Sequence, residues 1–140
     1  MAGRSKLQVL LVDDDSAIRA SLAMLLTSYD YEVSTAENGL AGLALFEKGL
    51  PDIVISDLQM PGMSGYEFLA AVRQQFPLVP RVAMSGSHKG PAVPAGVAAD
   101  AFFGKGQDVL SLLEIVADLT SKIAVCAERK DPDPAILRAA

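Results

Sequence analysis

Asp52-Ile53-Val54-Ile55-Ser56-Asp57 runs straight into Leu58-Gln59-Met60-Pro61-Gly62. The first half is short and rich in β-branched residues, the pattern of a strand; the Pro-Gly pair of the second half marks a turn. Asp57 therefore falls at the C-terminal tip of a strand. Aspartate is a poor strand former, and the turn already has Pro61 and Gly62, so local structure alone gives no reason for a carboxylate there. Working outward, the apolar run Leu7–Val12 also ends on acid, Asp13-Asp14-Asp15. In an open α/β sheet, ligands bind beyond the carboxyl ends of the strands. Two acid-loaded strand tips point to a divalent cation, because clustered carboxylates repel one another.

The rest of the chain alternates between two periods. Ser16–Ser28 reads as a helix with Ile18, Leu22, Leu25, Leu26 and Tyr29 at helical spacing, and Tyr31–Ala36 as a strand. Asn38 suits the N-cap of a helix carrying Leu40, Leu43 and Phe46, with Gly49 placed to stop it. Ile53–Ser56 is the third strand. Ser64-Gly65-Tyr66-Glu67 has capping-box spacing and opens a helix through Phe68, Leu69, Val72 and Phe76. Arg81–Met84 and Ala101–Phe103 are two further strands. A last helix is expected from about Gln107 to Cys126, burying Leu112, Leu113, Val116, Leu119 and Ile123. Strands alternating with helices predict a parallel sheet covered on both faces. Gly86–Ala99 is crowded with proline and glycine, so any helix there is short or irregular. Residues 1–126 form the domain on this reading, and 127–140, with Asp131-Pro132-Asp133-Pro134, a tail or the start of a linker.

Composition narrows the function classes. At 140 residues the chain is one ordinary domain, and 51% hydrophobic with 21% charged residues is a globular balance. The longest apolar runs are too short to span a bilayer, and the N-terminus lacks the apolar core and cleavage site of a secretory signal. The expected location is the cytoplasm. A net charge of −5 without a basic block argues against direct nucleic-acid binding. Cys126, the single cysteine, reads as a small hydrophobe on a helix, and His88, the single histidine, lacks Cys or His partners for a metal.

The strand ends near the acidic edge contribute polar groups in turn: the pair Asp13 and Asp14, then Asp57, then Ser85, then Lys105. With Val9-Leu10-Leu11-Val12 before the acid pair, and Met60-Pro61-Gly62 and Gly65 after Asp57, the chain resembles the receiver domain of two-component response regulators, over about residues 6 to 126. The resemblance implies a flavodoxin-like (βα)5 sandwich with strand order 2-1-3-4-5. It implies that Asp57 accepts a phosphoryl group from a histidine kinase or histidine phosphotransfer protein and acts as a signalling switch on a downstream effector. Such a domain is a phosphoacceptor rather than an enzyme, although the phosphotransfer and later dephosphorylation are self-catalysed. Mg²⁺ (or Mn²⁺) would be held by Asp14, Asp57 and the backbone carbonyl of Gln59, with Asp13 on a metal-bound water. Lys105 and Ser85 would contact phosphoryl oxygens, and Phe102 falls at the position of a switch aromatic. A homodimer is compatible with the family.

Some features depart from the pattern. Gly106 follows Lys105 where the family usually has proline, Ala98 replaces a common glycine, and Gln59 occupies a position that tunes acyl-phosphate lifetime. Two other readings stand beside the switch. A receiver-like module could bind partners without phosphorylation. A haloacid-dehalogenase-type phosphatase would use Asp13 as nucleophile and Asp15 as acid/base, but Ala17 replaces the expected Thr or Val, no acidic pair follows Lys105, and no cap domain fits. Flavin binding has no support, since no phosphate-cradling loop follows the first strand. The sequence leaves open a stand-alone regulator or one part of a longer protein.

Overall fold

The computed structural model describes residues 6–86, 96–105 and 107–130, the side chains of 122–130 excepted. Five strands form: β1 (Gln8–Val12), β2 (Glu32–Ala36), β3 (Ile53–Asp57), β4 (Arg81–Ser85) and β5 (Ala101–Gly104). They pair in parallel in the order β2-β1-β3-β4-β5, the flavodoxin-like order. The helices are α1 (Ser16–Ser28), α2 (Gly39–Leu45, continued by one 3₁₀ turn, Phe46–Lys48), α3 (Gly65–Gln75) and α4 (Val109–Lys130). No described helix is long and apolar enough to cross a membrane.

The strands are apolar at nearly every position because both faces are covered. Alternate residues then sort into two cores. Val9, Leu11, Ile53, Ile55, Val82, Met84 and Phe103 pack with Leu22 and Leu26 of α1 and Leu112 and Val116 of α4. Leu10, Val12, Val54, Ala83 and Phe102 pack with Phe68, Leu69 and Val72 of α3 and Phe46 beyond α2. This parity matters at the strand ends. Asp13, Asp57 and Lys105 continue the alternation of Leu11, Ile55 and Phe103, so all three leave the sheet on the α1/α4 side. Ser85 continues that of Ala83.

Two expected core positions lie at the surface. Leu40 is 65% exposed and Tyr29 55%. In α2 the residues against the sheet are Gly39 and Gly42. A Cβ on Gly42 would come within 3.0 Å of the Phe68 ring and 3.1 Å of Val12 Cγ2, so the helix lies close on its glycine face and Leu40 turns outward. Leu43 still packs on this core, and Phe46 is buried and stacked on Phe76 at 4.7 Å. Tyr29 is the C-cap of α1 and has already left the buried stripe.

The last helix starts two residues later than expected, because Asp108 takes the capping role: Leu110 N donates to Asp108 Oδ1 at 3.0 Å. It also runs on past Cys126 to Lys130. The Gly86–Ala99 expectation falls largely outside the described residues, as do His88, Gly106, the Asp131–Pro134 stretch and the side chains of Ile123 and Cys126.

Candidate functional site

The β1–α1 turn presents the first two acids. Asp15 caps α1, its Oδ1 accepting from Ala17 N at 3.0 Å and Ile18 N at 3.2 Å. Asp15 N in turn donates to Asp13 Oδ1 at 2.9 Å, which points the Asp13 side chain along the turn. Asp13 N extends the β1–β2 pairing with a bond to Ala36 O. Arg19, one turn into α1, donates Nη1 to the Asp13 carbonyl at 2.6 Å. Asp13 is fully buried and Asp14 is exposed. With Asp15 occupied as a cap, the phosphatase reading loses its acid/base.

The β3–α3 loop presents Asp57, which is 4% exposed. Gly65 opens α3 directly beneath it. A Cβ there would overlap the Asp57 carbonyl oxygen, so only glycine lets the helix begin so close to the strand end. Gly65 N donates back to Leu58 O at 3.0 Å, and Gly62 turns the loop with φ 77. The capping box is complete: Glu67 N donates to Ser64 Oγ, and Ser64 N donates to Glu67 Oε1. Gln59 is exposed, and its N–H reaches Asp57 Oδ1 at a long 3.4 Å.

The β5 end completes the centre. Lys105 Nζ lies 3.0 Å from Asp13 Oδ2 and 3.1 Å from Asp57 Oδ2, one cation bridging two buried acids. Lys105 N donates to Ser85 O at 3.0 Å, tying the lysine to β4. Ser85 itself is the buried last residue of β4. Phe102 is brought to the α2/α3 core rather than to the acids, at 3% exposure.

Charge at this edge is not balanced. Burial pushes the Asp57 carboxyl above its ordinary range; the Asp13 charge adds to this, while the hydrogen bond and charge of Lys105 oppose it. For Lys105, burial pulls the ammonium down, but the close contacts and charges of Asp13 and Asp57 outweigh it, so its pKa rises. Among the described residues, Asp13 Oδ2 alone is a buried side-chain polar atom that accepts no hydrogen bond; the Lys105 ammonium, 3.0 Å away, pairs with it by charge. Carboxylate oxygens of Asp13, Asp14 and Asp57 lie within 4.8 Å of one another. An all-oxygen anionic set with one unsatisfied buried oxygen fits a hard divalent cation such as Mg²⁺.

Sequence reasoning missed Arg19 and Gln107. Arg19 had a signal, a long cation one helical turn after the Asp15 cap. Gln107 had none, because its role depends on a side chain folding back on its own turn: Gly104 N donates to Gln107 Oε1 at 2.7 Å.

Comparison with known proteins agrees with this geometry. Residues 9–117 match the family model described as response regulator receiver domain. The transcriptional regulatory protein GlrR of Escherichia coli is 32% identical over 127 residues, 87% of this chain but 28% of its own length. The two-component response regulator ORR6 of Oryza sativa subsp. japonica is 41% identical over 90 residues, 61% of this chain and 53% of its own length. The chain thus spans about half or less of the curated relatives named here. Among solved structures, the chemotaxis response regulator CheY4 of Vibrio cholerae aligns with a TM-score of 0.75 and 32% identity, over 82% of this chain and 99% of that one. The response regulator TrrA of Thermotoga maritima, solved in complex with Mg²⁺-BeF, gives 0.74 and 34% over 81% and 98%. A match across most of the chain, in a fold whose acids and lysine meet at one sheet edge, means that this chain belongs to the response-regulator receiver-domain family.

Proposed function

We propose that Asp57 is the phosphoacceptor of a Mg²⁺-dependent switch charged by a histidine kinase or histidine phosphotransfer protein. The observation that carries this reading is the bridge of Lys105 across Asp13 and Asp57 at the open edge of the sheet. In the transfer, an Asp57 carboxylate oxygen forms a P–O bond while the donor's P–N bond breaks, and the imidazole leaves with the electron pair. Lys105, already within contact distance of the nucleophile, follows the charge onto a phosphoryl oxygen. Asp13, Asp14, Asp57 and the Gln59 carbonyl would hold the cation, which when bound neutralises charge on the phosphoryl oxygens. Ser85, buried at the end of β4, would donate to a further oxygen, with Phe102 repacking in response. Dephosphorylation is self-catalysed at the same centre. The output goes to a downstream protein effector, and any homodimer is part of that output.

Intact mass after incubation with a small phosphodonor, with and without Mg²⁺, tests this. The expected result is a single Mg²⁺-dependent phosphoryl adduct in wild type and none in Asp57→Asn. An adduct of equal stoichiometry in the variant would sink the assignment.

A further inference from the structure

We propose that Gln107 is a positioning residue for Lys105: its side chain closes the turn that carries the lysine and so holds the ammonium against Asp13 and Asp57. The inference rests on the role assigned to Lys105 above.

Lys105 stands between Gly104 and Gly106 in the sequence, the residue type with the greatest backbone freedom on either side. A lysine in such a run does not hold its long side chain in one place unless its main chain is fixed by other means. On the β4 side, Lys105 N is bound to Ser85 O. Alternate N–H groups of a strand face opposite edges, so Gly104 N faces the outer edge of β5, the last strand in the sheet order. That is where Gln107 acts. Gly104 N donates to Gln107 Oε1 at 2.7 Å, and Gln107 N donates to Gly104 O at 2.9 Å.

The two bonds are reciprocal and straddle the lysine. One is the ordinary closure of a four-residue turn, which any residue at 107 can make. The other needs a side-chain acceptor of this length. The amide is seated tightly on the strand, since a Cβ on Gly104 would lie 3.1 Å from Gln107 Oε1. Gln107 is otherwise exposed, so neither burial nor a core contact accounts for its place. Lys105 is thus held by β4 on one side and by a side-chain clasp on the other. Displacing a charge-stabilising group by even about 1 Å is enough to slow chemistry severely.

The test compares Gln107→Ala, Gln107→Glu and Lys105→Ala in the full chain. Gly104 amide exchange is read by NMR, and the rate of adduct formation on Asp57 with phosphoramidate is read over a series of Mg²⁺ concentrations. Gln107→Ala should speed Gly104 exchange about tenfold and slow adduct formation about five- to tenfold at saturating Mg²⁺. The half-saturating Mg²⁺ concentration should not move, because no carboxylate lies on this turn. Gln107→Glu keeps an acceptor and should stay within about twofold of wild type in both readouts. Faster Gly104 exchange in Gln107→Ala with wild-type labelling, while Lys105→Ala is slow, would leave Gln107 a merely structural residue and overturn the proposal alone. Slow labelling with unchanged Gly104 exchange would also overturn it, since the clasp would not be the cause. Wild-type labelling in Lys105→Ala would remove the function assigned to the lysine, and this inference with it.

Discussion

The two ends of the sheet are both rich in charge and are built to opposite ends. At the N-terminal edge, the polar side chains close on neighbouring backbone. Arg81 is buried, with Nε donating to the Ala98 carbonyl and Nη1 to the Val79 carbonyl, each at 2.9 Å. Its backbone N–H bonds Asp100 Oδ2 at 2.9 Å, and Asp100 N returns a bond to Arg81 O. Gln8 and Asp52 exchange a similar pair. At the C-terminal edge, three carboxylates gather, two of them against one lysine, and a buried oxygen lacks a hydrogen bond. The first edge contributes stability. The second gives up stability to keep like charges together, the departure from scaffold rules expected of the site proposed above.

Substitutions should separate the two edges. Gly65→Ala is expected to have the largest effect, because its Cβ overlaps the Asp57 carbonyl and either the strand end or α3 must move. Urea unfolding should show a loss of about 3 kcal/mol, with phosphoryl labelling reduced alongside. Arg81→Ala strips donors from two carbonyls at the other edge and should lower stability by about 2 kcal/mol, with labelling of Asp57 unchanged. If labelling fell in step, the edges would not be independent. Ser64→Ala breaks the capping box of α3 and should cost about 1 kcal/mol, again read by urea unfolding.

Asp57→Asn should act with the opposite sign. A carboxyl whose pKa is raised on folding favours the native state below its unfolded value, near 3.8, and loses that contribution as pH rises through the folded value. In EDTA at neutral pH the asparagine variant should therefore unfold at a higher urea concentration than wild type, and the gap should close as pH falls toward 3.8. An equal or lower midpoint at neutral pH would mean that Lys105 already compensates the buried charge fully.

Much of this contrast is legible in the sequence. The acids at 13, 14 and 57 and the lysine at 105 follow from apolar runs that end on or lead to polar residues, the order of the strands from the resemblance those residues carry, and the caps at Asn38 and Ser64 from local hydrogen-bonding chemistry. Leu40 misleads because helical periodicity assumes that the largest apolar residue faces inward, whereas Gly39 and Gly42 set the approach of α2. The clasp at Gln107 and the Arg81 knot are illegible for another reason. They are side-chain to backbone bonds, and neither partner carries a signal of composition or spacing.

The lysine bridge also couples the edge strand β5 electrostatically to β1 and β3. Asp13 and Asp57 are brought together by the pairing of β1 with β3, whereas their counter-ion follows β5, which is held through β4. Without β5 in place the two acids would face each other with no lysine between them, an arrangement that repels. Docking of β5 removes that penalty, so closure of the sheet is rewarded by charge as well as by apolar burial. On the proposed function, a chain in which β5 is not docked would carry Asp57 without Lys105, so phosphoryl transfer would report that β1, β3, β4 and β5 are in place.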